Sequence, residues 1–313
     1  MPNSNFLTDL LATTYAEHKP EIIDNISNSN LLLNTMIPKR ESWTSGEKIT
    51  HTIYYRHNTT FQWYSGLEVV DTTAQNNYTR AEFEIKEASC AITVAGIDKA
   101  KNRGKDAILS LMKAKTADTS AAVKNGLNAS FYSDGTGSGS KEIVGLEAII
   151  ATTGTYGGIS RSTDTYWQAY VNSTGGVMTL DMLRTANTTT ARNNDMPDIV
   201  CTTATLRNKY ESLLVPSLRL AAKDKGNLSF NTLAFNSSDA QFMYDEACPS
   251  GTVYFINTKY LHFYVDPDNW MSTTKFTEPG DDNQDAYKAL MLTYCALTCD
   301  RPESQGKITS VTA

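Results

Sequence analysis

The 313-residue sequence contains no C-x-x-C pair, no apolar run near the ~20 residues a bilayer span needs, and none of the short strings that mark common enzyme sites. Each absence removes a class. Five cysteines (Cys90, Cys201, Cys248, Cys295, Cys299), scattered and odd in number, argue against a disulfide framework and a zinc ribbon. Cys295 and Cys299 are spaced to share a helix face, yet buried reduced thiols are the expected outcome. G-x-x-x-x-G-K-[ST], G-x-S-x-G, H-E-x-x-H and the EF-hand loop are missing, so no phosphate loop, hydrolase elbow, zincin or calcium site is offered. Four histidines (His18, His51, His57, His262) lie far apart, none beside a nucleophile, and His262 is expected to be a hydrogen-bonded core residue. The acidic string "EPGDDNQD" (Glu278, Asp281, Asp282, Asp285) fits no known ligand spacing and reads as a solvated turn. No enzyme, cofactor or metal emerges from this inventory. A formal net charge of −6 gives no overall basic footprint for nucleic acid. "MPNSNFLTDLLATTYAEHKP" has neither a basic nor an apolar leader region, so the chain is expected to stay in the cytoplasm where it is made.

What is present falls into segments of unlike character. Residues 1–42 read as a partly helical arm around "IIDNISNSNLLLNTMIP", punctuated by Pro20 and Pro38, with too little apolar content to fold alone. From "GEKITHTIYYR" to "FQWYSGLE" the pattern is β, with Ile49, Ile53 and Tyr55 on one side and Lys48, Thr50, Thr52 and Arg56 on the other. "AEFEIKEASCAITVAG" puts Phe83 and Ile85 in one phase and Ala88, Cys90, Ile92 and Val94 in the other. That slip predicts a bulge or bend near Glu87 in a long hairpin.

Residues 98–132 hold the longest helical pattern, with Ile108, Leu111, Met112, Val123, Leu127 and Phe131 on one stripe. Unbroken, such a helix reaches on the order of 50 Å at 1.5 Å per residue. Gly104 and Gly126 are its weak points, at roughly 1 kcal/mol each. Lys99, Lys101, Arg103, Lys105, Lys113 and Lys115 make its first half basic, a solvated face or one turned toward packaged nucleic acid or an acidic neighbour.

"FYSDGTGSGSKEIVGLEAII" then sets Gly135, Gly137 and Gly139 at every second position. They follow a helix instead of joining a strand to one, and Lys141 precedes Glu142, so a flexible connection is expected and not a phosphate cradle. Further on, "GVMTLDMLRTANTTTAR" and "ATLRNKYESLL" read as helices, the second stopped by Pro216, and "DIVCTT" as a strand. "GTVYFINTKYLHFYVDP" reads as two strands around a tight turn at Asn257 to Lys259, ended by Pro267. "AYKALMLTYCALTCDRPE", apolar on both faces, reads as a central strand.

In fixed order, "IIDNISNSNLLLNTM", "FQWYSGLEVVD", "AEFEIKEASCAITVAG", "NGLNASFYSDGTG", "VGLEAIIATTGTYGGISRSTDTYWQAYV" and "GTVYFINTKYLHF" resemble the major capsid proteins of tailed bacteriophages over nearly the whole chain. The resemblance implies an α+β chain of the Hong Kong 97 type. Its parts are an N-terminal arm (1–42), an extended β-hairpin loop (43–97) and a peripheral domain (98–150) with a spine helix (98–132) and glycine hinge (134–140). A mainly axial α/β domain (151–260) and a return to peripheral strands (261–313) complete it. The resemblance also implies a structural role: pentamers and hexamers closing into an icosahedral shell around phage double-stranded DNA, in the host cytoplasm. A portal at one vertex and non-specifically contacted DNA come with it, and a decoration protein is an optional partner. Some relatives begin with a scaffolding segment that a protease removes; this chain enters the arm almost at once, so a separate scaffolding protein is expected. Others cross-link a hairpin lysine to an asparagine; Lys48 is the only hairpin lysine before Lys86, and no cross-link is expected.

An arm and a hairpin that cannot bury their own apolar residues are expected to be covered by sister subunits. Leu31, Leu32, Leu33 and Ile37 in the arm, with Phe61, Trp63 and Tyr64 on the hairpin, are the expected interface residues, aromatic anchors leading. Two rivals stand beside this reading. An encapsulin-type compartment has the same fold and encloses enzymes instead of DNA. A surface adhesin or carbohydrate-active protein would lack the long helix and pair carboxylates in a cleft.

Overall fold

The computed structural model describes residues 30–101, 105–192, 195–214, 232–234, 240–277 and 285–313. Pro20, His18, Arg103, Gly104, Pro216 and the acidic Glu278, Asp281 and Asp282 lie outside the described residues, as do the side chains of 99–110 with their lysines.

In chain order come α1 (Leu31–Met36), β1 (Glu41–Ser42), β2 (Ile49–Tyr54), β3 (Tyr78–Phe83), β4 (Lys86–Ala95), α2 (Gly96–Lys101) and α3 (Lys105–Phe131). They are followed by α4 (Leu146–Ile149), β5 (Thr155–Tyr156), β6 (Ile159–Ser160), β7 (Tyr170–Asn172), β8 (Gly176–Val177), α5 (Leu180–Thr190), β9 (Ile199–Thr202) and α6 (Ala204–Leu213). The last stretch holds β10 (Thr232–Ala234), β11 (Gln241–Tyr244), β12 (Val253–Ile256), β13 (Leu261–Thr273), β14 (Ala286–Cys299), β15 (Gly306–Ile308) and β16 (Val311–Thr312). A four-stranded sheet, β1-β13-β14-β4, and a six-stranded sheet, β10-β11-β9-β12-β15-β7, organise the chain.

β14 lies between β13 and β4, antiparallel to both, which is why its sequence is apolar on both faces. Cys295 and Cys299 therefore share a strand, and burial pushes both thiols up to about 12. β13 does not end at Pro267. Val265 pairs with Cys295 and Trp270 with Thr293, so Pro267 sits in a bulge that needs no ladder N–H. Nor do β12 and β13 form a hairpin. The turn between them, in which Asn257 Oδ1 accepts the Lys259 N–H (3.1 Å), carries the chain from the six-stranded sheet to the four-stranded one.

α3 runs through Gly126 without a break, and its 27 residues span about 40 Å. It packs on β4 and β14, with Leu127 and Phe131 buried and the Phe131 ring edge-on to Phe263 at 5.2 Å. The glycine-rich stretch beyond it is a shaped turn. Gly135, Ser138, Gly139 and Ser140 take positive φ, and the Asp134 carboxylate accepts the Thr136 N–H (2.9 Å) and hydroxyl (2.7 Å). Gly145 closes it against the helix end, where a Cβ would come within 2.5 Å of the Ser130 carbonyl oxygen. A turn that leaves a helix C-terminus presents carbonyls, not the N–H groups a phosphate needs.

Two boundaries differ from the expectation. The phase slip lies at Glu84 and Ile85, where the chain leaves the β2–β3 ladder and joins β14 in the four-stranded sheet. The hairpin therefore closes at Phe83, and the slip is a change of sheet, not a bulge in one long hairpin. At the other end, β15 pairs with β12 and β7 in the six-stranded sheet, and β16 pairs with β8. The return to the four-stranded sheet is thus over at Cys299. Under the six-stranded sheet α5 and α6 supply a second core of Leu183, Leu206 and Tyr210, the Tyr210 ring stacking on Phe242 at 4.1 Å.

Candidate assembly surface

Among the described residues β2 and β3 pair only with each other, Ile49 opposite Phe83 and Tyr54 opposite Tyr78. The alternation decides which face meets the body: Ile49, Ile53, Ala81 and Phe83 are buried, while Thr50, Thr52, Tyr54 and Tyr78 are exposed. Phe83 packs 5.0 Å from Tyr156 and above Gly157, where a Cβ would meet its ring at 2.9 Å. On the outer edge Lys48 pairs with Glu82 at 3.1 Å.

Between these strands, residues 55–77 project as a loop, so the β alternation of "FQWYSGLE" finds no partner strand among the described residues and is not realised. Side-chain-capped turns shape the loop: Asn58 accepts the Thr60 N–H (2.8 Å), Glu68 the Ser65 N–H (3.0 Å) and Asp71 the Thr73 N–H (2.9 Å). The Thr73 hydroxyl and N–H hold the Asp71 carboxyl below its ordinary range. Its apolar side chains have almost no cover. Trp63 is 90% exposed, Phe61 79%, Tyr64 66% and Val69 94%. Phe61 and Trp63 touch only edge to face, at 5.8 Å. Burying such side chains is worth roughly 1.5–3 kcal/mol each, and a contiguous exposed run marks an interaction site.

A groove of the right character lies elsewhere on the body. Met112, Thr116 and Ser120 of α3 face Met271, Thr273 and Met291 of the four-stranded sheet across about 570 Å³, flanked by Lys113 and Lys124. Methionines adapt to the shape of what they receive. The loop carries Glu68 and Asp71, opposite in sign to the groove's lysines.

The arm behaves otherwise. Leu32 and Leu33 are buried in the chain's own core, and Leu31 and Ile37 are half-buried against it. Leu31 and Ile37 keep part of their surface exposed, but for Leu32 and Leu33 the expectation of cover by a neighbour is corrected, because the body has a receptor for α1. Its free N–H groups are taken up by buried acceptors: Leu33 N–H donates to Asn128 Oδ1 (3.2 Å) and Leu32 N–H to Asp245 Oδ2 (3.3 Å). Asn128 Nδ2 in turn donates to both Asp245 oxygens (2.8 and 3.0 Å), and Asn30 Nδ2 to Asn125 Oδ1 (2.7 Å). Sequence reasoning missed Asn128 and Asp245: they lie 117 residues apart and only the fold joins them.

Among the described residues no group of three or more His, Cys, Asp or Glu is placed to hold a metal ion, and no helix is long and apolar enough to cross a membrane.

A long helix beneath a four-stranded sheet, a second α/β body and a projecting apolar loop define the class of shell-forming subunits with the Hong Kong 97 type fold. Solved structures agree. The chain is similar to the capsid subunit of cyanophage A-1(L), with a TM-score of 0.68 and 16% identity over 95% of this chain and 97% of that one. It is similar to the capsid of a native GTA particle, with a TM-score of 0.63 and 10% identity over 100% of both chains. It is also similar to the SrpI encapsulin of Synechococcus elongatus PCC 7942, with a TM-score of 0.58 and 11% identity over 97% and 95%. No curated protein sequence matches. The family model of the SU10 major capsid protein matches residues 19–312, and the chain belongs to that family. It is a capsid protein of a virion, which sets the adhesin reading aside.

Proposed function

We propose that copies of this chain close into pentamers and hexamers, and these into an icosahedral shell around double-stranded DNA, with loop 55–77 of each subunit strapped across a neighbour. The uncovered tip carries this reading: Phe61, Trp63, Tyr64, Leu67 and Val69 are exposed together on one loop. The methionine groove beside α3, with Lys113 and Lys124 at its rim, is the seat for the neighbour's tip. Each contact need be only about millimolar, roughly 4 kcal/mol, because several acting at once give a tight shell. Weak single contacts also let misplaced subunits leave. A separate scaffolding protein guides assembly in the bacterial cytoplasm, a portal takes one vertex, a decoration protein is an optional outer partner, and DNA is held non-specifically. The protein catalyses nothing, and no covalent bond joins subunits.

Electron microscopy of the full chain expressed with its neighbouring genes tests this: closed shells filled with DNA are expected, and a persistent monomer overturns it. The similarity to an encapsulin favours one second reading, a compartment whose content is an enzyme; protein cargo without DNA selects it. Denaturing electrophoresis of intact shells should give a single band, and a ladder of high bands overturns the claim of no cross-link.

A further inference from the structure

Four ionisable side chains from four elements form an unbroken chain at the base of the projecting loop. Glu41 comes from β1, which continues the arm; His262 from β13; Asp300 from the end of β14; and His51 from β2. His262 Nδ1 lies 2.6 Å from Glu41 Oε1 and Nε2 lies 2.8 Å from Asp300 Oδ2. The other Asp300 oxygen, Oδ1, lies 2.7 Å from His51 Nδ1 as an ion-pair contact not aligned as a hydrogen bond, and His51 Nε2 lies 3.3 Å from the Thr298 hydroxyl. Both ring nitrogens of His262 thus face carboxylate oxygens, which accept only. Both nitrogens must donate, and only the imidazolium has two N–H groups.

Two further observations make this chain more than a surface ion pair. First, among the described residues the β2–β3 ladder has no third strand. Apart from its apolar face, it is tied to the body by the Glu82 N–H donating to the Gly157 carbonyl (3.0 Å), by His51, and at its base by the Tyr55 ring stacked on Tyr166 (5.1 Å). Second, a cleft of about 480 Å³ separates the loop base from the body at this point, lined by His51, Tyr55 and Arg56 on one side and Tyr166, Tyr260 and Arg301 on the other. The ladder is held on one side by Phe83 over Gly157 and on the other by the Tyr55–Tyr166 stack; the open cleft beside that stack leaves it room to rock, with the His51–Asp300 contact as the stop.

We propose that the proton on His262 couples the arm to the pitch of the projecting loop: with it, Glu41, His262, Asp300 and His51 lock β1 and β2 to the same two body strands; without it, the lock opens and the loop rocks. The inference rests on reading the loop as an inter-subunit strap, whose angle decides where its tip lands on a neighbour.

The charged surroundings agree. The hydrogen bond to Asp300, against the cost of burial and with help from Glu41, raises His262 to about 9. Burial pushes the Asp300 carboxyl up, but the hydrogen bond from His262 and the neighbouring His51 imidazole outweigh it and hold the group well below the usual carboxylate range. Burial and the Glu41 carboxylate push the Tyr264 hydroxyl up, with its ring 5.7 Å from His51 and 6.4 Å from His262. Arg301 and Glu303 line the cleft beside Asp300. A raised histidine stabilises fully below its unfolded value, near 6.5, and loses that contribution as pH rises through about 9. Asp300 remains ionised well into acid, so the lock opens on the alkaline side.

Amide exchange of the full chain before shell assembly, corrected for the intrinsic rate, tests the lock separately from the strap. Protection of 49–54 and 78–83 should fall about tenfold or more as pH rises from 7 to 10, the loss of one charge-assisted hydrogen bond, while α3 stays protected. His262→Gln should show the low protection already at pH 7 and no pH step. His51→Gln should free β2 and leave β13 unchanged. Equal protection in wild type at both pH values, or a loss spread evenly over α3, overturns the proposal. A shell that fails to form while the pH step is present counts against the strap and not the lock.

Discussion

The arm helix and the loop tip present the same problem in sequence and opposite solutions in space. "LLLNTMIP" and "FQWYSGLEVV" are both short apolar stretches attached to polar surroundings. Yet Leu33 is 0% exposed and Trp63 is 90% exposed. The difference lies in what the body offers. For α1 it supplies an apolar bed and two buried acceptors, Asn128 and Asp245, that satisfy the helix's free N–H groups. For the tip it supplies neither, and the Asx turns at Asn58 and Asp71 hold the loop's backbone in shape without any cover for its rings. Apolar content says that a segment needs a partner; the placement of acceptors says whether the partner is the same chain.

That contrast can be broken at its strongest point. Leu33→Ala should cost the isolated subunit roughly 2–5 kcal/mol in denaturant unfolding, the cost of a cavity in a packed core. Trp63→Ala should leave that stability within about 0.5 kcal/mol, as an exposed substitution does. In assembly the order reverses. Trp63→Ala should raise the concentration at which shells form roughly 30-fold, the effect of losing an anchor worth about 2 kcal/mol. A Trp63→Ala subunit that unfolds easily yet assembles normally would mean the tip belongs to its own body.

A finer test separates the acceptors from the apolar bed. Asp245→Ala strands the Leu32 N–H and the Asn128 amide and should cost roughly 1–3 kcal/mol of subunit stability, with less effect on assembly than Trp63→Ala. Smaller still is the charge match between tip and groove. Lys113→Glu with Lys124→Glu should weaken assembly by about 0.2–1 kcal/mol per contact at low salt, and the deficit should vanish near 1 M salt, where charges are screened within about 3 Å.

Periodic patterns were legible wherever a strand or helix finds its partner. β14 reads as a central strand because two neighbours cover it, and α3 as a long helix because one stripe lies on β4. The alternation of "FQWYSGLE" misled because period two is necessary for a strand and not sufficient; a ladder partner is needed too. Pro267 misled because a bulge absorbs what a regular strand rejects. Cys295 and Cys299 read equally well as one face of a helix or of a strand. The fold's identity was legible from stretches in fixed order, but the four-group chain at the loop base was not: His51 and Asp300 are 249 residues apart, and nothing in either neighbourhood announces the other.

The tip is bare in the subunit and, if the loop is a strap, covered in the shell. A side-chain-resolution map of the assembled particle tests it most directly, read at residues 61–70. Phe61 and Trp63 should be packed against a neighbouring subunit beside its α3, among Met112, Met271 and Met291. A tip that points into solvent, or folds back onto its own chain, contradicts it.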